Sequence, residues 1–159
     1  MMVKILYSKR EGIYSLGSRV IMAAQGLPFS HVSIAVKIGN NPFEVYESVW
    51  PKSRKISYKE WLTHYKLVSS HELPEVDDKL QLVLEAMVGK TYSVSQLVVI
   101  HFNMFFSKLD SSWVNGSRKL ICTELSAIFM FKAYGTIWSK ALDMISLRDI
   151  YREARKIGV

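Results

Sequence analysis

Three side-chain types that together make an activated sulfur nucleophile stand far apart in this chain. Cys122 lies in Leu120-Ile121-Cys122-Thr123-Glu124-Leu125-Ser126, His31 opens Ser30-His31-Val32-Ser33-Ile34-Ala35-Val36, and Glu47 ends Val45-Tyr46-Glu47. A thiol attacks well only as thiolate, an imidazole can take its proton, and a carboxylate can hold the imidazole in the useful tautomer. Cys122 is the sole cysteine, so no intramolecular disulfide competes for it. A lone cysteine in an apolar helix is also an ordinary small core residue, so the elements around it must decide.

Those elements are legible from spacing. Val3 to Tyr7 reads as a strand, and Leu16, Val20, Ile21 and Ala24 recur at helical spacing before Gly26-Leu27-Pro28. His31 to Ile38 alternates, with Val32, Ile34 and Val36 on one face and His31, Ser33 and Ala35 on the other. The turn Gly39-Asn40-Asn41-Pro42 returns the chain into a strand from Phe43 to Val49, so an antiparallel hairpin carries both His31 and Glu47. Ser57 and Glu60 form a capping-box pattern for a helix to about Tyr65, and Tyr65 to Val68 begins another strand. Pro74 to Val88 has the pattern of an amphipathic helix stopped by Gly89, and Thr91 to Phe106 reads as helical. Asp110 to Gly116 is a loop, Leu120 to Tyr134 a core helix ended by Gly135, and Ser146 to Ile157 a last helix capped by Ser146. Cys122 therefore falls where a helix begins, and a helix N-terminus favours negative charge. A backbone N–H there could also steady the oxyanion of a tetrahedral intermediate.

Each chemical role has rivals. Glu44 competes with Glu47 for the carboxylate role, but three residues along a strand it faces the other side. His64, His71 and His101 are alternative bases; the first two read as surface residues, and His101 sits inside an apolar stretch from Leu97 to Phe106. A metal site built from His31, Glu47 and Cys122 has no close-spaced ligand pair to support it, so neither a metal nor another cofactor is expected.

Composition bounds the rest. A chain of 159 residues with 49% hydrophobic and 22% charged residues reads as one globular domain spanning 1–159. The net charge of +7 favours anionic partners such as an anionic polymer or a membrane surface. It is spread over Lys9-Arg10, Lys52 to Lys55, Arg118-Lys119 and Arg148 to Lys156, and no nucleic-acid-binding motif accompanies it. The first residues lack a signal-peptide layout and no apolar run spans a bilayer, so the expected location is cytoplasmic. Oligomeric state is not legible.

The order Ser30-His31-Val32-Ser33-Ile34-Ala35-Val36, then Tyr46-Glu47-Ser48-Val49, then Cys122-Thr123-Glu124-Leu125 resembles the circularly permuted NlpC-type papain-like cysteine hydrolases. Gly17-Ser18-Arg19-Val20-Ile21 and Gly89-Lys90-Thr91-Tyr92 add to the likeness, which covers roughly residues 3–135. Thr123 stands where that family usually has serine. The resemblance implies an α+β, papain-like fold with helices on one face of an antiparallel sheet. It implies Cys122 as nucleophile, His31 as general base and then acid, Glu47 as the orienting carboxylate, and Tyr92 as a wall of the substrate cleft. The implied reaction is cleavage of an amide bond in a peptide-like substrate, peptidoglycan among them, through a thioacyl enzyme. A lipid-handling branch of the same family makes an acyltransferase, thioesterase or lipase acting on acyl substrates the alternative. The apolar stretch from Leu97 to Phe106 leans that way. A non-catalytic binding module on the same fold is the third reading.

Overall fold

The computed structural model describes residues 1–10, 16–95 and 119–158. Its centre is a five-stranded antiparallel sheet in the order β4-β3-β2-β1-β5. The strands are β1 (Met2–Lys9), β2 (His31–Lys37), β3 (Glu44–Glu47), β4 (Arg54–Ser57) and β5 (Lys66–Leu73). Helix α1 (Leu16–Gln25) precedes β2, α2 (Tyr58–His64) joins β4 to β5, and α3 (Gln81–Glu85) follows β5. A short parallel pair, β6 (Thr91–Tyr92) and β7 (Lys119–Leu120), leads into α4 (Cys122–Tyr134), and α5 (Leu147–Ile157) ends the chain.

Period-two alternation in the central strands sorts side chains to two covered faces. Register pairs Val3 with Val36, Ile5 with Ile34 and Tyr7 with Val32. These residues pack with Leu125, Phe129 and Ile150 of α4 and α5 in the larger core. The intervening Leu6 and Ala35, with Val45, pack against Trp61 of α2 in a second core. The expectation that helices lie on one face is therefore corrected. The physical reason is that β1 and β2 are apolar on both sides, as sheets covered on both faces are, and α2 supplies the second cover. The fold class itself, α+β on an antiparallel sheet, agrees with the sequence reading.

The two strands expected to form a hairpin do so: Ile34, Ala35 and Val36 pair with Tyr46, Val45 and Glu44. The strand at β4 was not legible, because Arg54–Ser57 is short and charged. Ser57 accepts from the Glu60 N–H at 3.1 Å, so the serine half of the expected cap is present. Ser146 and Asp149 form a complete capping box at α5. The core helix starts at Cys122 rather than Leu120, because Leu120 is drawn into the parallel pair with Tyr92. Gly135 ends it with φ 67°, in the left-handed region that favours glycine.

The long helix expected over Pro74 to Val88 is a correction. Only a 3-10 turn at Asp78–Leu80 and α3 form. The chain terminus holds the preceding segment extended: the Met1 ammonium donates to the Val76 carbonyl at 2.8 Å, and the Val76 N–H donates to the Met1 carbonyl at 3.1 Å. Asp77 then starts the turn by accepting from the Lys79 N–H at 2.8 Å. Thr91 and Tyr92 are strand rather than helix. The rest of that expected helix, the apolar Leu97 to Phe106 stretch with His101, and the loop from Asp110 to Gly116 lie outside the described residues. Among the described residues no helix is long and apolar enough to cross a membrane.

Trp61 is the pivot of the second core. It is fully buried, its Nε1–H donates to Ser33 Oγ at 3.2 Å, and it stacks on Tyr65 with ring centroids 5.3 Å apart. Replacing Trp61 by Ala is expected to cost about 3–5 kcal/mol of unfolding free energy. Ser33→Ala, which orphans the indole N–H, is expected to cost about 1–3 kcal/mol. Urea denaturation monitored by circular dichroism checks both. A loss under 1 kcal/mol for Trp61→Ala would show that α2 does not hold that face.

Candidate active site

An antiparallel hairpin brings the first residue of one strand beside the last residue of its partner, and that geometry joins His31 to Glu47. His31 begins β2 and Glu47 ends β3. They share the Ser33 face, and His31 Nε2 lies 2.9 Å from Glu47 Oε2. Cys122 reaches the same end of the sheet by another route. The parallel pairing of β6 and β7 ends at Leu120, Ile121 stays extended as N-cap, and Cys122 is the first helical residue of α4. Ser48 Oγ donates to the Leu120 carbonyl at 2.7 Å, which ties the residue after Glu47 to the segment before Cys122.

The three groups meet. Cys122 and His31 line one narrow cavity, and the sulfur is among the groups that raise the His31 pKa. Since Nε2 faces Glu47, Nδ1 is the nitrogen left for sulfur. α4 packs on the Val32, Ile34 and Val36 side of β2, opposite the face that carries Ser33 and Ala35. Contact is made across the sheet's end, where the first residues of β2 and α4 come together.

The carboxylate is unusual in being wholly buried: the Glu47 side chain is 0% exposed. Arg54, its cross-strand partner in β4, donates to Glu47 Oε1 from Nε at 2.8 Å and from Nη2 at 2.7 Å. Burial alone would raise the Glu47 pKa; the hydrogen bonds and charges of His31 and Arg54 outweigh it and hold the carboxyl at about 2. Burial likewise works against a charged His31. The Tyr65 phenol, the Cys122 sulfur and Glu47 overcome it and hold the ring well above the usual histidine range, which favours the imidazolium. Tyr65 stacks on His31 with centroids 5.0 Å apart and planes at 15°.

Tyr92 lines both openings beside His31. Its N–H donates to the Pro51 carbonyl at 2.9 Å and it pairs with Leu120 in the parallel ladder. Burial first, then Cys122 and Tyr65, push its phenol above the ordinary range. The rivals are placed elsewhere. Glu44 pairs with Lys55 at 2.8 Å. His64 is exposed at the end of α2. His71 is not a loose surface residue: it lies on β5 against Tyr7 and Tyr151, and burial, then Arg155, lower its pKa. Among the described residues no group of three His, Cys, Asp or Glu side chains is placed to hold a metal ion. Glu47, the one carboxylate of the trio, already engages both oxygens with Arg54 and His31.

Two openings share His31. On the sulfur side a narrow cavity of about 30 Å³ is lined by Cys122, Thr123, Gln25, Tyr92 and Ser146. Thr123 is 4% exposed, and its hydroxyl has no hydrogen-bond partner among the described residues; a cavity of that size holds a single water. On the imidazole side a wider groove of about 210 Å³ runs past Tyr65, Ser48 and Trp50 to Arg10. Sequence reasoning missed Arg54, Ser48 and Tyr65. The signal for Arg54 was an opposite charge seven residues after Glu47, readable only once β4 is known to pair with β3.

The folded carboxylate at about 2, against 4.5 for an ordinary glutamate, stabilises the fold above pH 4.5 and loses that contribution as pH falls toward 2. Unfolding free energy is thus expected to drop by a few kcal/mol across that window, at about 1.4 kcal/mol per unit of pKa shift. Glu47→Gln should flatten that limb and, by leaving Arg54 without its counter-charge, destabilise the protein at pH 7. Denaturant titrations from pH 7 to pH 2 measure this. Equal acid slopes in the two proteins would contradict the assignment.

No protein-family model matches the sequence, and no curated protein matches it significantly. Among solved structures, the crystal structure of metalloprotein yiiX from Escherichia coli O157:H7, a DUF1105 protein, is similar in fold. The similarity covers 99% of this chain and 84% of that one, with a TM-score of 0.59 and 18% identity. At that identity the two share a fold, and the chemistry of this site rests on its own residues.

Proposed function

We propose that this chain is a thiol-dependent hydrolase of the permuted NlpC-type papain-like kind, which cleaves an amide bond in a peptide-like substrate through a thioacyl enzyme. One observation carries the reading: an imidazole held by a buried carboxylate on one nitrogen and partnered by the sole thiol, which sits at the first residue of a 13-residue helix. Each group has a role that its surroundings favour. Arg54 keeps Glu47 ionised, Glu47 accepts the Nε2–H, and His31 Nδ1 takes the proton of Cys122. The N-terminus of α4 favours the resulting negative sulfur.

The reaction then follows in balanced steps. Sulfur bonds to the substrate carbonyl carbon and the carbonyl π electrons move to oxygen. Collapse breaks the carbon–nitrogen bond as His31 returns its proton to the leaving nitrogen. Water adds to the thioester, giving one proton to His31, and the carbon–sulfur bond breaks to release acid. The cavity beside the sulfur is narrow, with Ile21, Ile121, Ile145 and Leu147 among its walls beside Thr123 and Ser146; its small volume favours a compact acyl group over a long hydrocarbon chain, which would need a broad trough. The feature that leaned toward lipid chemistry, Leu97 to Phe106, lies outside the described residues.

Alkylation by iodoacetamide discriminates this reading from a binding module. Wild-type Cys122 is expected to react readily at pH 6, where an ordinary thiol of pKa about 8.5 is almost wholly protonated. His31→Ala should slow the reaction at pH 6 by roughly 10²-fold, in line with losing a positioned base. Glu47→Gln should slow it by a smaller factor. Labelling that starts only near pH 8.5 and is indifferent to His31→Ala would overturn the hydrolase assignment.

A further inference from the structure

The two openings beside the site differ in what they can hold, and the chemistry assigns a half of the substrate to each. His31 must hand its proton to the leaving nitrogen, so the leaving half lies over the imidazole and continues into the wider groove on that side. The acyl half stays with the sulfur and its narrow cavity. This assignment rests on the hydrolase reading above.

Arg10 is the charged group of that groove, apart from His31 itself. Its guanidinium lies 5.3 Å from the Tyr65 ring centroid, and Nη2 donates to the Tyr65 phenol at 3.3 Å. Tyr65 in turn stacks on His31, so the cation stands within two ring spacings of the general base. Tyr65 is fixed from below by Trp61, whose carbonyl accepts its N–H at 3.2 Å. Arg10 is therefore held rather than free to sweep the surface, and stacking of this kind suits arginine.

No carboxylate pairs with Arg10 among the described residues, whereas Arg54, the other arginine near the site, is neutralised by Glu47. The described groove wall holds hydroxyls from Ser18, Ser30 and Ser48 and no acidic side chain. A cation held in place by Tyr65, with no carboxylate partner among the described residues, is complementary to an anionic substrate group.

We propose that the leaving half of the substrate carries a carboxylate that Arg10 binds. The spacings of 5.3 and 5.0 Å bound the span from imidazole to guanidinium at about 10 Å, and an extended chain covers about 3.3–3.6 Å per residue, so a carboxylate on the residue after the one bearing the leaving nitrogen falls within reach. The specificity then lies in the amine product, and the same surface selects any amine that attacks the thioester in reverse.

Aminolysis tests this without knowledge of the acyl group. With p-nitrophenyl acetate as donor, sulfur bonds to the acetyl carbon and p-nitrophenolate leaves. An acceptor amine then bonds to that carbon, gives its proton to His31, and the carbon–sulfur bond breaks. The acceptors are Ala-Glu amide, Ala-Gln amide, Ala-Ala and Ala-Ala amide, which separate a side-chain carboxylate from a chain-terminal one. Their acetylated products are counted by mass spectrometry. Wild-type protein is expected to favour at least one carboxylate acceptor over its neutral match by about 5- to 10-fold, the size of a charge-assisted bond at a partly exposed site. Arg10→Gln should bring the ratio to about 1, Arg10→Glu should invert it, and 0.5 M NaCl should shrink it in the wild type. The ratio is taken within one preparation, so differences in folded fraction cancel. Equal capture of all acceptors, no capture of any, or a preference unchanged in both variants overturns the proposal. p-Nitrophenol release no faster than from Cys122→Ala overturns the hydrolase reading instead, and so separates the two failures.

Discussion

A carboxylate removed entirely from water is the constraint around which this end of the molecule is arranged. Glu47 is fully buried, and an unpaired charge there would be prohibitive. Two cationic partners resolve the problem from opposite sides: Arg54 takes one oxygen and His31 the other. The consequence reaches the sulfur. A histidine whose one nitrogen is committed to an ionised carboxylate has its ring fixed, and that ring lines the same narrow cavity as Cys122. Remove the carboxylate and the imidazole loses the partner that fixes its ring and one of the groups that favour its charged form.

Convergence of segments this distant needs ties that carry no chemistry themselves. The bond from Ser48 to the Leu120 carbonyl couples the end of β3 to the start of α4 across 72 positions of sequence. The parallel pairing of Tyr92 with Leu120 holds the same approach from the other side. Below the imidazole, the stack of Trp61, Tyr65 and His31 passes the packing of the second core directly to His31. Covering both sheet faces thus does more than bury area. The α4 face delivers Cys122, the α2 face supports the His31 ring, and the two come together at the sheet's end.

The openings beside the site follow from the same arrangement. α4 and α5 begin close together, which leaves only a slot at the sulfur, while α1 and the β3–β4 connection leave a wider groove beyond the imidazole. The slot mixes isoleucine and leucine walls with the Thr123 and Ser146 hydroxyls, and the groove ends on Arg10. The fold shared with the E. coli protein is compatible with other chemistries, because a fold positions side chains without choosing them.

Much of this was legible in the residues alone. Alternation in His31 to Val36 announced β2, Gly26 and Gly135 announced helix ends, and Ser146 announced a cap, because local backbone preferences act over a few positions. The thiol, imidazole and carboxylate could be named as candidates from their types and from their places at element ends. What the sequence could not reveal depended on pairings between segments remote along the chain. The Pro74 to Val88 pattern satisfied helical periodicity, yet Met1 captures Val76 in an extended ladder that no local rule contains. Arg54 read as one more solvated charge until the β3–β4 register placed it opposite Glu47. By itself the sequence determined which chemical groups were present and which short elements bore them, since propensity and periodicity are local. Only the tertiary structure decided that those groups line one site and which of the candidate carboxylates is buried, because proximity and desolvation are properties of the packed whole.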